Sequence, residues 1–327
     1  MSEVVTFGEA MVRLTPPSFQ RVEQARSLDV HVAGAELNTA VTLARLGCET
    51  AWVSRLTNNP IGRVVANHAR EGGVNTDHIA WTDEDRIGLL FLENGASPRA
   101  SSVVYDRKNS AMARIQPGMI HWPSVFSRAK WFHITGITPA LSESSRATTR
   151  EALEAAKRSG VRVSFDPNYR SKLWSLEECH ECVATLLPLC DVLITSMPGA
   201  ALVLQVEGND EEDVARRLIE SYGLELVAFT RRESSSVRNN TFTGTVYTTE
   251  SRYETKTYEV EIVDRLGAGD AFAGGLLFGL WQENIQTGLD YGVAAAALKH
   301  TIPGDFAWVT VEELQHVVEG GSLRIQR

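Results

Sequence analysis

Short apolar runs recur along the chain, and longer stretches with helical spacing separate most of them. Residues 4–7, 51–54, 131–134, 161–165, 191–194 and 226–229 are rich in Val, Ile, Phe and Trp and read as buried strands. Between the last four of these lie 146–159, 176–187 and 211–222, where apolar positions return every three or four residues. Strands alternating with helices predict a mainly parallel sheet covered by helices on both faces. Ligands on such sheets bind beyond the carboxyl ends of the strands, so function is expected in the loops that follow them.

Two stretches depart from the rhythm. Residues 87–93 and 101–105 alternate like strands and flank Asn94-Gly95-Ala96-Ser97-Pro98, a natural hairpin connection. With 12–32 they are expected to build a small sheet projecting over the strand ends as a lid. The expected organisation is one domain over 1–327, with lid strands from about 12–32 and 86–107. Composition narrows the partners. Lys plus Arg number 32 and Asp plus Glu 41, a net charge of −9, which argues against nucleic acid as a partner. No apolar run approaches the roughly 18–20 residues needed to cross a bilayer. The first residues lack the basic and apolar regions of a signal peptide. Only four cysteines occur, Cys48, Cys179, Cys182 and Cys190. Together these features predict a cytoplasmic protein.

The run most suggestive of chemistry is Val263-Asp264-Arg265-Leu266-Gly267-Ala268-Gly269-Asp270. It leads straight into an apolar helical stretch, 271–281. Glycines there let backbone N–H groups turn towards an anion, and the helix N-terminus adds the positive end of its dipole. Asp270, at the helix start, is placed to accept a proton from an attacking hydroxyl. The plainer alternative is a Gly-rich turn with Asp270 as its cap. Neither common nucleotide fingerprint is present: there is no G-x-x-x-x-G-K-[ST], and Gly8-Glu9-Ala10 after the first strand is not G-x-G-x-x-G.

Gly267-Ala268-Gly269-Asp270 resembles the signature of the ribokinase-like (pfkB) carbohydrate kinases. His31-Val32-Ala33-Gly34-Ala35-Glu36-Leu37-Asn38, followed by Leu43-Ala44-Arg45-Leu46-Gly47, is similar to that family's N-terminal sugar-binding signature. The matches run in family order from Gly8 to Asp305. The resemblance implies a ribokinase-like three-layer α/β/α fold, with a mainly parallel central sheet and a small β lid. It implies ATP and Mg²⁺ as cofactors, and a dimer paired through the lid sheet. Asp270 would be the catalytic base, with Gly267, Ala268 and Gly269 supplying the anion hole. Gly34, Ala35 and Asn38 would bind the sugar, and Ser196, Thr230, Arg232, Gly267 and Gly269 the nucleotide.

Several stretches look more narrowly like 2-keto-3-deoxygluconate kinases: Val104-Tyr105-Asp106-Arg107, Ile134 to Ser142, Phe165-Asp166-Pro167-Asn168-Tyr169-Arg170, and Lys299 to Asp305. An acidic sugar suits these residues. Arg107 from the lid and Arg170 from the core are expected to converge on a carboxylate in the planar manner arginine favours. Tyr105 on the same strand face and Asn168 are expected to complete the substrate site. Surface ion pairs are the alternative for both arginines. The expected reaction is ATP-dependent phosphorylation of the terminal hydroxyl of 2-keto-3-deoxygluconate or its galactonate epimer. The alternatives are a kinase of fructose or ribose, or a non-catalytic sugar or nucleotide sensor.

The nucleotide side departs from the family pattern. Thr195-Ser196-Met197-Pro198-Gly199 stands where an Asn-x-x-Glu is common, and Thr230-Arg231-Arg232-Glu233-Ser234-Ser235-Ser236 replaces a Gly-rich loop. The magnesium ligands therefore stay unassigned, with Asp264 a candidate through water. Cys179-His180-Glu181-Cys182 lies in a helical stretch without a second matching pair, and is read as structural rather than zinc-binding.

Overall fold

The runs read as strands assemble into one sheet. The computed structural model describes residues 2–234, 236 and 238–321. Its strands are β1 (Val4–Phe7), β2 (Met11–Thr15), β3 (Asp29–Ala33), β4 (Thr50–Thr57), β5 (Ile79–Thr82), β6 (Leu89–Glu93) and β7 (Ser102–Asp106). They continue with β8 (Trp131–Thr135), β9 (Arg162–Asp166), β10 (Val192–Thr195), β11 (Leu226–Ser234), β12 (Asn239–Thr248), β13 (Arg252–Glu254) and β14 (Tyr258–Glu261). The large sheet has the order β13-β12-β11-β10-β9-β8-β1-β4-β5, with β14 also paired to β12. From β11 to β5 every pairing is parallel, while β12, β13 and β14 add an antiparallel margin.

Alternation within the strands makes the three layers. On β10, Leu193 packs with Leu153, Val183 and Leu218 from the helices Glu143–Arg158, Leu176–Leu186 and Glu211–Tyr222. Its neighbours Val192 and Ile194 pack the opposite way, with Leu43, Phe272 and Ala294 from Ala35–Arg45, Ala268–Trp281 and Ile285–His300. Both faces are thus dry, and each large apolar side chain so buried contributes about 1.5–3 kcal/mol. Cys179 and Cys182 lie in the first of these cores as buried free thiols. No helix among the described residues is long and apolar enough to cross a membrane.

A second sheet, β3-β2-β6-β7, stands apart. It is inserted after β1 and again after β5, so it hangs from the carboxyl ends of the parallel strands. The connections run outward from β1 to β4 on one side and to β8 on the other. The crevice for a ligand therefore opens where the β1 and β8 loops part.

One expectation is corrected. Residues 230–236 were read as a loop, but β11 continues to Ser234 in a long hairpin with β12, pairing Thr230 with Gly244 and Arg232 with Phe242. Antiparallel partners satisfy the backbone of these polar residues, which their composition could not announce. Ser235 of that run lies outside the described residues.

Candidate active site

The glycine turn is built by close packing. Gly267 caps the helix Ala268–Trp281 with φ +84°, a left-handed conformation that costs other residues about 1–2 kcal/mol. A Cβ there would also lie 2.0 Å from the Asp305 carbonyl oxygen, so the turn is pressed against the 301–305 loop. Gly269, by contrast, faces open space. Ala268 is buried behind it. At Gly269 the start of the helix therefore borders an open recess, as an anion hole requires.

Asp270 lies in the first turn of this helix, half-buried. Asn38 Nδ2 donates to its Oδ2 at 2.7 Å, and Thr39 Oγ1 donates to its backbone carbonyl at 3.2 Å. Asn38 is held in the first turn of Ala35–Arg45, whose N-cap Gly34 passes so close to Glu9 that a Cβ would sit 2.5 Å from the Glu9 carbonyl oxygen. Burial pushes the Asp270 carboxyl up to about 7; the Asn38 bond and the Arg170 charge oppose this, while Asp166 and Glu36 add to it. A carboxyl poised near neutrality suits a general base.

Two further acids underlie the site. Glu36 is fully buried, and its Oε1 accepts from Thr135 N, Thr135 Oγ1 and Thr138 Oγ1. Burial raises its carboxyl to about 7 despite these bonds. Asp166 ends β9 and is raised to about 6 by burial, against a 2.8 Å bond from Asn168 N and the Arg170 charge. Asn168 itself turns with φ +38°, projecting Arg170 outward as an exposed side chain.

Tyr105, Arg107 and Arg170 line one cavity of about 540 Å³ between the small sheet and the core. Lys108 and Lys172 line it too, and no carboxylate does. Arg107 is less free than expected. Its Nε donates to Glu9 Oε2 at 2.8 Å and its Nη2 binds the same oxygen, while Ser110 Oγ donates to Glu9 Oε1. Its guanidinium also lies 5.5 Å from the Tyr105 ring centre, with Lys172 Nζ at 5.6 Å. Nothing in the sequence around Gly8-Glu9 marks Glu9 as the anchor of Arg107, because 98 residues separate the two.

A second cleft, about 390 Å³, joins the glycine turn to the loop after β10. Ser196, Thr230, Arg231, Arg232, Ala268 and Gly269 line it, with Glu211 at the side. Ser196 Oγ caps the short helix Met197–Leu202 by accepting from Gly199 N at 3.2 Å. Thr230 Oγ1 donates to Thr195 O at 3.3 Å. Arg231 is paired with Glu211 at 2.8 Å. Arg232 is different: its side chain is exposed but partly desolvated, which lowers its pKa, and the like charges of Arg265 and Arg170 lower it further. Arginines crowded together in this way call for a polyanion. Asp264 does not face this cleft. Its Oδ2 takes Arg13 Nη2 at 2.5 Å and Gly304 N at 3.1 Å, and its Oδ1 takes Leu266 N at 3.1 Å, so most of the carboxylate is engaged in holding the turn.

A recess of helix N–H groups, a poised carboxyl and two adjoining clefts rich in cations together describe a phosphoryl-transfer site. The model of the pfkB family of carbohydrate kinases matches residues 1–306. The chain belongs to this family. A 2-dehydro-3-deoxygalactonokinase of Haloferax volcanii is 41% identical over 327 residues, spanning 100% of this chain and 99% of that protein. The crystal structure of a 2-dehydro-3-deoxygluconokinase of Thermotoga maritima superposes with a TM-score of 0.94 at 40% identity, covering 98% of this chain and 100% of that one. A fructokinase of Xylella fastidiosa, solved with bound ATP, gives a TM-score of 0.81 at 25% identity over 98% of this chain and 99% of its own. The ribokinase-like fold expected from the two signatures is therefore present, and the chain is a carbohydrate kinase. This sets aside the non-catalytic sensor.

Sequence reasoning about this kinase missed Glu9, Glu36, Lys172 and Arg265 as parts of the site. Arg265 and Glu36 carried local signals, the one two residues before Gly267 and the other inside the N-terminal signature.

Proposed function

We propose that this pfkB kinase transfers the γ-phosphoryl group of ATP to the terminal hydroxyl of a six-carbon 2-keto-3-deoxy sugar acid, 2-keto-3-deoxygluconate or its galactonate epimer, giving the 6-phosphate. The observation that carries the reading is the cavity lined by Arg107, Lys108, Arg170 and Lys172 with no acidic side chain, which suits an anionic sugar and not a neutral one such as fructose or ribose. The names of the Haloferax and Thermotoga relatives point the same way.

In this reading Arg170 is the main carboxylate ligand. Arg107, fixed to Glu9 through Nε and Nη2, offers its remaining Nη1 edge, and Tyr105 adds its hydroxyl. Gly34, Ala35, Asn38 and Asn168 border the sugar beneath the small sheet, which acts as a lid that excludes water as a competing acceptor. Asp270 takes the proton of the terminal hydroxyl as its oxygen attacks the γ-phosphorus and the bond to the β-phosphate oxygen breaks. N–H groups around Gly267, Ala268 and Gly269 hold the negative charge on the transferring group. Ser196, Thr230 and Arg232 border the nucleotide phosphates.

Among the described residues no group of three or more His, Cys, Asp or Glu is placed to hold a metal ion. That fits Mg²⁺ carried mainly by phosphate oxygens and water, with Glu211 the carboxylate at hand in the cleft. Bound there, the ion would screen the polyphosphate charge. A reaction drawing on ATP is assigned to the cytoplasm. Two copies are expected to pair through the small sheet, whose edge strands β3 and β7 present Val30 and Val104 at 49% and 59% exposure.

The test is coupled ADP release from Mg-ATP with both keto-deoxy epimers, fructose, ribose and gluconate. Saturable turnover confined to the keto-deoxy acids is the expected result. Preferred turnover of a neutral sugar would overturn the substrate assignment and leave the kinase.

A further inference from the structure

A lysine ammonium with no exposed surface lies behind the glycine turn. Lys299, in the last turn of the helix Ile285–His300, is 0% exposed. Its Nζ donates to two backbone carbonyls, Asp264 O at 3.3 Å and Ile302 O at 3.0 Å. Those carbonyls belong to the two segments that shape the turn. One is the approach from Asp264 to Gly267, anchored where Val263 N and Asp264 N donate to His300 O at 2.8 and 3.0 Å. The other is the 301–305 loop, whose Asp305 carbonyl presses on Gly267. Nearby, Arg13 on β2 binds Asp264 and Asp305, each at 2.5 Å. The cluster therefore holds two cations and two anions, all buried.

We infer that Lys299 is a built-in monovalent cation, a positioning residue that fixes the anion hole by drawing the carbonyls of Asp264 and Ile302 onto one charge. It lines neither cleft. Carbonyl oxygens in a dry site need a cation or donor between them, and a tethered ammonium supplies this without drawing an ion from solution. Burial works against the charged form of Lys299, while the Asp264 and Asp305 carboxylates support it. Removing the charge frees both carbonyls, leaves the cluster with excess negative charge and lets the turn drift. A displacement of about 1 Å at a reacting centre costs on the order of 100-fold in rate.

This inference rests on the reading of the glycine turn as the phosphoryl site. The experiment measures kcat and sugar KM for the wild type, Lys299→Ala, which opens a vacancy, the neutral Lys299→Gln and Asp270→Asn. Each is assayed in ammonium, potassium or tetramethylammonium chloride at equal ionic strength. Wild-type turnover is expected to be indifferent to the cation. Lys299→Ala is expected to lose about 100-fold in kcat with sugar KM changed less than about threefold, and to regain at least about tenfold in ammonium or potassium but not in tetramethylammonium. Lys299→Gln, which keeps one donor, should lose less. A wild type that requires potassium overturns the inference without any variant, and so does a folded Lys299→Ala or Lys299→Gln with unchanged kcat, or a loss in Lys299→Ala that is blind to the cation. If Asp270→Asn keeps full turnover, the site reading itself fails; if it loses turnover and the Lys299 variants do not, only this inference fails.

Discussion

Asn38 was expected from the sequence to bind sugar, yet its amide is bonded to the carboxylate of Asp270 at 2.7 Å. The two roles separate by pH. A hydrogen bond to a charged group is worth about 1.5–3 kcal/mol, and the half-exposed setting of Asp270 takes the lower end, about 1.5 kcal/mol or close to one pH unit. Asn38→Ala removes a donor that favours the ionised form, so the base, already near 7, should titrate about one unit higher. With Asp270 as the proposed base only its ionised form accepts the proton, so wild-type kcat/KM should climb as pH rises through about 7 and level off above it. The variant should then be about fivefold slower at pH 7 and about ninefold slower at pH 6, and should approach the wild type above about pH 9. The assay is coupled ADP release at subsaturating sugar from pH 5.5 to 9.5. A loss of equal size at every pH would refute the electrostatic role and return Asn38 to a plain sugar ligand.

Three other outcomes follow from the site. Gly267→Ala must part its new Cβ from the Asp305 carbonyl by about 1 Å; turnover should fall on the order of 100-fold, measured as kcat with saturating substrates. Arg170→Met should raise the KM for the keto-deoxy acid at least about tenfold without weakening binding of a neutral sugar, whereas Arg107→Met should also destabilise the fold by about 3–5 kcal/mol, because it strands buried Glu9; calorimetric or denaturant unfolding separates the two. Arg232→Gln should raise the KM for ATP about tenfold and change the sugar KM much less in steady-state kinetics, since Arg232 lines the proposed nucleotide cleft and not the cavity of Arg107 and Arg170.

Much of this protein is written locally. Runs such as Val4 to Phe7 and Trp131 to Ile134 are mostly apolar and buried throughout because both faces of a parallel strand are covered, and that pattern predicts the layered sheet. The glycine turn with Asp270 is equally legible, because a left-handed residue followed by an apolar helix leaves a compact trace in seven or eight positions. What the chain could not show in one dimension is who answers whom across long separations. Glu9 engages Arg107, Asn38 reaches Asp270, and Lys299 serves the carbonyl of Asp264 from 35 residues away. Each is an ordinary polar residue in its own segment, and only burial beside a distant partner gives it work to do. The sequence by itself determined the layers, the anion-binding turn and the kind of chemistry. Tertiary structure decided which charges are spent on holding the site and which remain for substrate, because desolvation and pairing depend on neighbours that the fold alone brings together.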